Sequence, residues 1–253
     1  MEWEAPAIVL DVRPYGEGDA VATVLTGAEG AYRGLARGGL SRGRAAVWQK
    51  GNLVQARWVA RLADQLGSFT GELVYPGAAL AMDNPLALAM LRAACAVAEG
   101  ALAEREPHPR VFEGLLRLIQ GLGEPETLMP DFVRWEAVLL ADLGYGLDLA
   151  ACAVTGATAG FAFVSPKTGR AVTEAGAGAW ASHLIPLPAF LFSEAGAGPA
   201  EWLSGLRLTG HFLARDAFGH HHRPLPSARQ MLYDRVAALA ARTQEPAAPC
   251  PMT

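Results

Sequence analysis

The strongest constraint on the fold of this chain is a change of pattern at Asp83-Asn84-Pro85. Before it, short apolar runs are cut every few residues by glycine or proline. After it, alanine and leucine recur at helical spacing. Ala7–Val12, Ala20–Leu25, Ala31–Ala36, Asn52–Ala60, Leu62–Phe69 and Gly71–Val74 read as five or six strands, with turns at Gly16–Asp19 and Gly27–Gly30. Strands this short, punctuated this often within about eighty residues, predict a small barrel or sandwich. Among small barrels that also take up single strands, the OB type is the commonest.

Beyond the change, Asn84 is placed to cap a helix and Pro85 to occupy its first position. Helices are expected over Pro85–Glu104 and Arg110–Leu122. A third begins near Pro130, with Phe132, Trp135, Leu139 and Leu143 on one face and Arg134 on the other, toward water. Gly146–Trp180 is rich in Gly, Ala and Thr. Within it Phe161–Val164 and Arg170–Thr173 flank a hairpin turn, Ser165-Pro-Lys-Thr-Gly169. Leu187–Phe192, Pro199–Leu203 and Leu206–Phe218 read as helical. The last helix starts with a capping box, Ser227-Ala-Arg-Gln230, and runs to about Thr243 before a frayed, Pro-rich tail, Glu245–Thr253. The fold class is α+β: an N-terminal OB-fold β-barrel over residues 1–80, then an all-α helical bundle domain over 81–253 with a small β insertion at about 147–180.

Charge is as lopsided as pattern. From Ala31 to Ala63 the chain carries Arg33, Arg37, Arg42, Arg44, Lys50, Arg57 and Arg61 and no acidic residue. These are seven of 21 Lys and Arg, which leaves 14 to set against 25 Asp and Glu elsewhere. Clustered cations in an acidic chain make a local field suited to a phosphate backbone. Arg37-Gly-Gly-Leu-Ser-Arg42-Gly-Arg44 is a glycine-rich basic loop, and Tyr32, Trp48 and Trp58 are interleaved with the cations. Guanidinium groups can track phosphates while bases stack on rings, so the seven cations with Tyr32 and Trp48 are the candidate nucleic-acid contacts. The other reading is a solvated basic face with the tryptophans in the core.

The remaining features exclude more than they suggest. Hydrophobic content of 51% with 18% charged residues fits a folded chain, with no run long enough to span a membrane. Three widely spaced cysteines, Cys95, Cys152 and Cys250, argue against a disulfide framework, and the acidic N-terminus lacks signal-peptide character. A cytoplasmic protein is expected. The basic loop lacks the spacing of a triphosphate cradle, and no G-x-S-x-G elbow occurs. Glu17 with Asp19 reads as a polar turn, Cys95 as a buried apolar side chain, and His108 as a loop residue. His211 with His220-His-His222 reads as a solvated helix end, because consecutive histidines cannot all point at one ion. A non-catalytic protein-interaction module, with the acidic helical domain binding a partner and the barrel as scaffold, is the alternative to DNA binding.

In order along the chain, Ile8-Val-Leu with Arg13-Pro-Tyr-Gly-Glu-Gly-Asp19, Thr26–Gly30 with Arg33–Gly38, Glu106-Pro-His-Pro109 with Phe112 and Leu115, Leu143–Leu149 with Cys152, and Ser165–Gly169 resemble the bacterial recombination mediator family RecO. The resemblance covers nearly the whole chain. It implies an OB fold, a helical domain and no catalytic activity. It also implies binding of single- and double-stranded DNA, annealing of complementary strands and, with RecR, loading of RecA onto strands coated by single-strand-binding protein. These are steps of gap and double-strand break repair in the RecF pathway. It further implies contact between the helical region and the acidic C-terminal tail of the coating protein, for which Arg110, Arg117 and Arg134 are the candidates.

Many members of that family hold a structural zinc with four cysteines in the third segment. Here Cys152 stands at the first position, Thr155 at the second, and no Cys or His follows Gly169 until His183. One thiol cannot supply a tetrahedral site. The insertion is therefore expected to be a degenerate, metal-free counterpart of a zinc ribbon, held by hairpin hydrogen bonds and burial of Phe161 and Phe163.

Overall fold

Four consecutive buried residues, Ala7–Leu10, set the architecture. Side chains alternate along a strand, so a run buried without interruption has a core on each face. In the computed structural model, which describes residues 1–62, 65–193 and 196–244, Ala7 and Val9 face the interior of a barrel and Ile8 and Leu10 face helices. The expectations for Cys250 and the Glu245–Thr253 tail lie outside the described residues. Strand β1 (Glu2–Tyr15) has a bulge between Val9 and Asp11, and pairs with β4 (Leu53–Val59) along its first half and β2 (Asp19–Thr26) along its second. The extra residue bends the strand enough to serve both neighbours.

β3 (Gly30–Ala36) and β5 (Ser68–Tyr75) complete a closed barrel in the order β1-β2-β3-β5-β4. Every pairing is antiparallel except β3 with β5, where Leu35 faces Ser68 and Ala36 faces Phe69. This is the OB arrangement. Of Leu62–Phe69, expected as a strand, Leu62 and Gln65–Gly67 are connection instead, with Leu62 and Leu66 exposed. Its apolar residues have no alternation to bury, and the fifth strand is Ser68–Tyr75. Gly67 shows why the connection turns there: its φ is +68°, and a Cβ would stand 2.3 Å from the Trp58 ring. Trp58 fills the barrel and donates its indole N–H to the carbonyls of Arg33 and Leu66.

After α1 (Gly77–Ala81), the Asn84 carboxamide accepts from the Leu86 and Ala87 amides at 2.8 and 3.2 Å, with Pro85 opening α2 (Pro85–Ala101). Ala87, Ala93, Ala94 and Ala98 are buried, so neighbouring elements approach α2 closely. α3 (Pro109–Gln120) follows, then α4 (Pro125–Asp142). α4 starts a turn before the expected Pro130, which lies inside it. Only the Glu126 carbonyl, in the exposed first turn, loses its usual partner there.

The expected helices Pro199–Leu203 and Leu206–Phe218 are one element, α6 (Pro199–Phe212), continued by a π-turn over Leu213–Ala217. Leu187–Phe192 holds only a short 3-10 turn, Ala189–Leu191. In α7 (Ser227–Gln244), Ser227 is already the first helical residue and the Gln230 amide donates to Asp234, so the capping box is not formed.

A buried ion pair ties three of these helices together. Arg229 of α7 donates to both Glu136 oxygens of α4 at 2.5 and 2.9 Å and to the Leu206 carbonyl of α6. Thr209 of α6 donates to the same carboxylate. The small sheet consists of β6 (Phe161–Val164) between β7 (Ala171–Thr173) and β8 (Ile185–Pro186), with α5 (Glu174–Ala177) beside it. Barrel and helices share a core through Ile8, Leu10, Leu25, Ala31 and Leu53. No helix among the described residues is long and apolar enough to cross a membrane.

Candidate nucleic-acid interface

The basic loop is built, not slack. It leaves β3 through Gly38, whose φ is +62° and whose amide donates to the Asp19 carboxylate at 2.6 Å. Leu40 donates to the Gly18 carbonyl, and the Ser41 hydroxyl caps the Gly38 carbonyl. Arg44 reaches back to the Arg37 carbonyl at 3.1 Å. At the far end the buried Asn52 amide holds the Ala46 and Val47 carbonyls and its oxygen accepts from Ala78. Asp19 and Asn52 thus position the loop, although the charge pattern of the sequence pointed to neither. The Asp19–Gly38 and Asn52–Ala78 bonds join distant parts of the chain, and a lone Asp or Asn gives no long-range signal.

The seven cations divide by partner. Arg33 faces Glu104 at 3.0 Å and Glu99 at 3.7 Å, and Lys50 faces Asp11 at 2.6 Å. Arg13, outside the basic segment, also binds Asp11 and Glu99. Burial pushes the Asp11 carboxyl up, but its hydrogen bonds to Lys50 and Arg13 outweigh that and hold it below the ordinary carboxylate value. Arg57 is paired with Glu2 at 2.7 Å. Arg37, Arg42 and Arg61 are exposed and have no acidic partner among the described residues. The connection bearing Arg61 returns beside the end of β3, where Leu35 donates to the Gly67 carbonyl, so Arg37 and Arg61 leave the barrel at the same end.

Arg44 and Arg57 meet at a shallow depression on the β1–β4–β5 face, lined also by Glu4, Gln55, Thr70 and Glu72. Its floor is the edge of Trp48 and Phe69. The aromatic expectation needs correction here. Trp48 is 4% exposed and lies against Phe69 inside the barrel, and Tyr32 is 8% exposed with its ring edge-on to Trp3 and Trp58. The Arg105 guanidinium covers the outer side of Tyr32 at 5.5 Å. Neither ring offers a face to a base. For Tyr32 the interleaving reflects the strand period, which sends alternate residues inward, whereas Trp48 packs inward from the turn before β4.

The three helical-region candidates come together. Arg110, Arg117 and Arg134 line one groove between α3 and α4, with Leu118, Leu128 and Trp135 as its apolar wall and Glu113 and Asp131 at its margin. Arg134 does not point freely to water, as its helix face suggested. It donates to the Phe190 carbonyl at 2.7 Å and to Asp131 at 2.6 Å. The loop after β8 folds over α4 and gives that guanidinium carbonyls to bind.

The third segment does not fit a zinc site. The Cys152 sulfur receives the amides of Thr155 and Thr173 at 3.4 and 3.3 Å and contacts the Thr173 hydroxyl at 3.4 Å. Burial pushes this thiol up, and the hydrogen bonds from the two threonines overcome it and bring it down to about 6. Phe161 and Phe163 are half-buried, so Cys152, Val172 and Ala177 form the centre of this small cluster. Among the described residues no three His, Cys, Asp or Glu side chains gather closely enough to hold a metal ion. His220 stacks on Tyr145 and His211 contacts the Pro166 carbonyl.

Comparison with known proteins covers the same ground. The family model for the N-terminal part of recombination protein O matches residues 1–76, and that for its C-terminal part matches residues 82–224. A DNA repair protein RecO from Granulibacter bethesdensis is 58% identical over 251 residues, covering 97% of this chain and 99% of the relative. One from Acidiphilium cryptum is 58% identical over 93% of this chain and 96% of its own length. One from Rhodospirillum centenum is 45% identical over 93% and 94%. With an OB barrel, a helical region and matches across nearly its full length, this chain belongs to the RecO family of DNA repair proteins.

Proposed function

We propose that this chain is a non-catalytic recombination mediator that binds single- and double-stranded DNA through the rim of its barrel. It anneals complementary strands and, with RecR, helps load RecA onto strands coated by single-strand-binding protein, in RecF-pathway gap and break repair in the cytoplasm, at the nucleoid. The observation that carries the reading is the set of exposed cations without acidic partners among the described residues, Arg37, Arg42 and Arg61, with Arg44 beside them on a braced loop. Phosphates bound there would lose their mutual repulsion, and two strands could approach with base edges free to pair. With Tyr32 and Trp48 buried, binding rests on charge more than on stacking. The third segment works without metal, Cys152 and the two threonines replacing the ligand set.

A second contact is part of the same reading. The α3–α4 groove pairs an apolar wall with Arg110, Arg117 and Arg134, which suits the acidic C-terminal tail of the coating protein. This groove also favours the alternative of an interaction module whose barrel is scaffold. A strand-annealing assay separates the two. Replacing Arg37, Arg42 and Arg44 together by Ala should slow annealing at least about tenfold, given the steep dependence of binding on neutralised phosphates. Annealing at the unmodified rate would favour the interaction module.

A further inference from the structure

A second groove of the helical region, about 480 Å³, runs between α2 and α7 and shares no residue with the α3–α4 groove. Ala228, Met231, Arg235, Ala238 and Arg242 follow one another along α7 at steps of three and four residues, opposite Pro85, Leu88, Ala89 and Arg92 of α2. From Ala228 to Arg242 the stripe is about 21 Å long at the helical rise per residue. Alanines keep the floor low, and Met231, 62% exposed, supplies an adaptable apolar contact. Arg92, Arg235 and Arg242 stand at the edges with no acidic partner among the described residues, while Asp234 accepts from Gln230.

The geometry points to a docking site for an acidic amphipathic helix of a protein partner, laid along α2 and α7. The charge complementarity is specific: three unpaired cations border an apolar floor, so an occupant needs carboxylates on its flanks and apolar side chains at i, i+3 and i+7 beneath. A phosphate backbone fits less well, because it would cover Leu88, Met231 and Leu239 without contributing apolar area to them. This inference is independent of the DNA reading, since no rim residue takes part.

The probe is a fluorescein-labelled sixteen-residue peptide with leucine at helical spacing and glutamate between, against a matched peptide with lysine for glutamate, titrated with the full chain. The glutamate peptide should bind, and the lysine peptide should bind at least about tenfold more weakly. Arg235→Glu with Arg242→Glu, and separately Met231→Asp, should each weaken the glutamate peptide about tenfold while leaving the thermal midpoint unchanged, as these side chains are exposed. Equal binding of the two peptides would overturn the proposal. So would loss of binding in Arg110→Glu with Arg117→Glu but not in the α7 variants, or displacement of the glutamate peptide by an oligonucleotide in the Arg37, Arg42 and Arg44 triple-alanine variant.

Discussion

Where the barrel meets the helices, Arg13, Arg33 and Lys50 each face a carboxylate from Asp11, Glu99 or Glu104. At the barrel rim, Arg37, Arg42 and Arg61 face none among the described residues. The two sets lie close together in the chain and share their chemistry, yet the first is spent on holding the molecule together and the second is left for solvent or a ligand. The lesson is that charge counted along a sequence overstates the charge available to bind. Of seven cations in the basic segment, Arg33, Lys50 and Arg57 are neutralised from within the molecule.

The contrast is sharpest if extended to Arg229, the most completely paired cation, 1% exposed against Glu136. Glu136→Ala leaves that guanidinium buried without its carboxylate and should destabilise the fold by about 3–5 kcal/mol in urea titration. Any single Ala at Arg37, Arg42 or Arg61 should change stability by less than about 0.5 kcal/mol. Comparable losses from both would erase the distinction. Binding should show the reverse order. The Arg37, Arg42 and Arg44 triple-alanine variant should weaken single-stranded DNA binding at least about tenfold near physiological salt, for unrelated sequences alike. Competition between unlabelled oligonucleotides of different sequence measures that uniformity.

Smaller effects probe the junction itself. The Asp11 carboxyl is held below its ordinary value in the folded chain, so its contribution is fully present above the unfolded value and is lost as pH falls through the folded one. Asp11→Asn should therefore be less stable than the parent at neutral pH, by under about 1 kcal/mol, since its partners Lys50 and Arg13 are half exposed or more. The two should converge on acidification. A difference that grows toward low pH would reverse the sign and contradict the assignment. The smallest effect expected is that of chelation: with one cysteine in the third segment, EDTA should leave the thermal midpoint unchanged, and bound zinc measured in the purified protein should be far below one equivalent.

Much of this was legible from sequence for identifiable reasons. Asn84-Pro85 marks the opening of α2 because a cap and a first-turn proline are local devices, and both function as read. The strands β1 to β4 were visible because glycine turns bound them. Leu62–Phe69 misled because apolar composition without alternation does not make a strand. The site was half legible. The loop and its arginines stand out in sequence, but the acids that neutralise Arg33, Lys50 and Arg57 come from β1, α2 and the segment after it, and only folding brings them near. Burial of Tyr32 and Trp48 was hidden for a related reason: Tyr32, beside Arg33, points to the opposite face of its strand, Trp48 lies in the turn before β4, and which side is the core depends on closure of the barrel. The Asp19–Gly38 bond, the Asn52–Ala78 bond and the buried Arg229–Glu136 pair join residues too far apart in sequence for any local pattern to link them.

The measurement that tests the central claim most directly is the salt dependence of single-stranded DNA binding by fluorescence anisotropy, for the parent, the rim triple-alanine variant and a junction variant, Arg13→Ala with Lys50→Ala. If the rim carries the phosphates, the logarithmic slope should shrink by about 2 in the rim variant, at roughly 0.7 per lost contact, and stay unchanged in the junction variant. An unchanged slope in the rim variant, or an equal loss in both, would contradict the division of the cations into those that hold the fold and those that hold DNA.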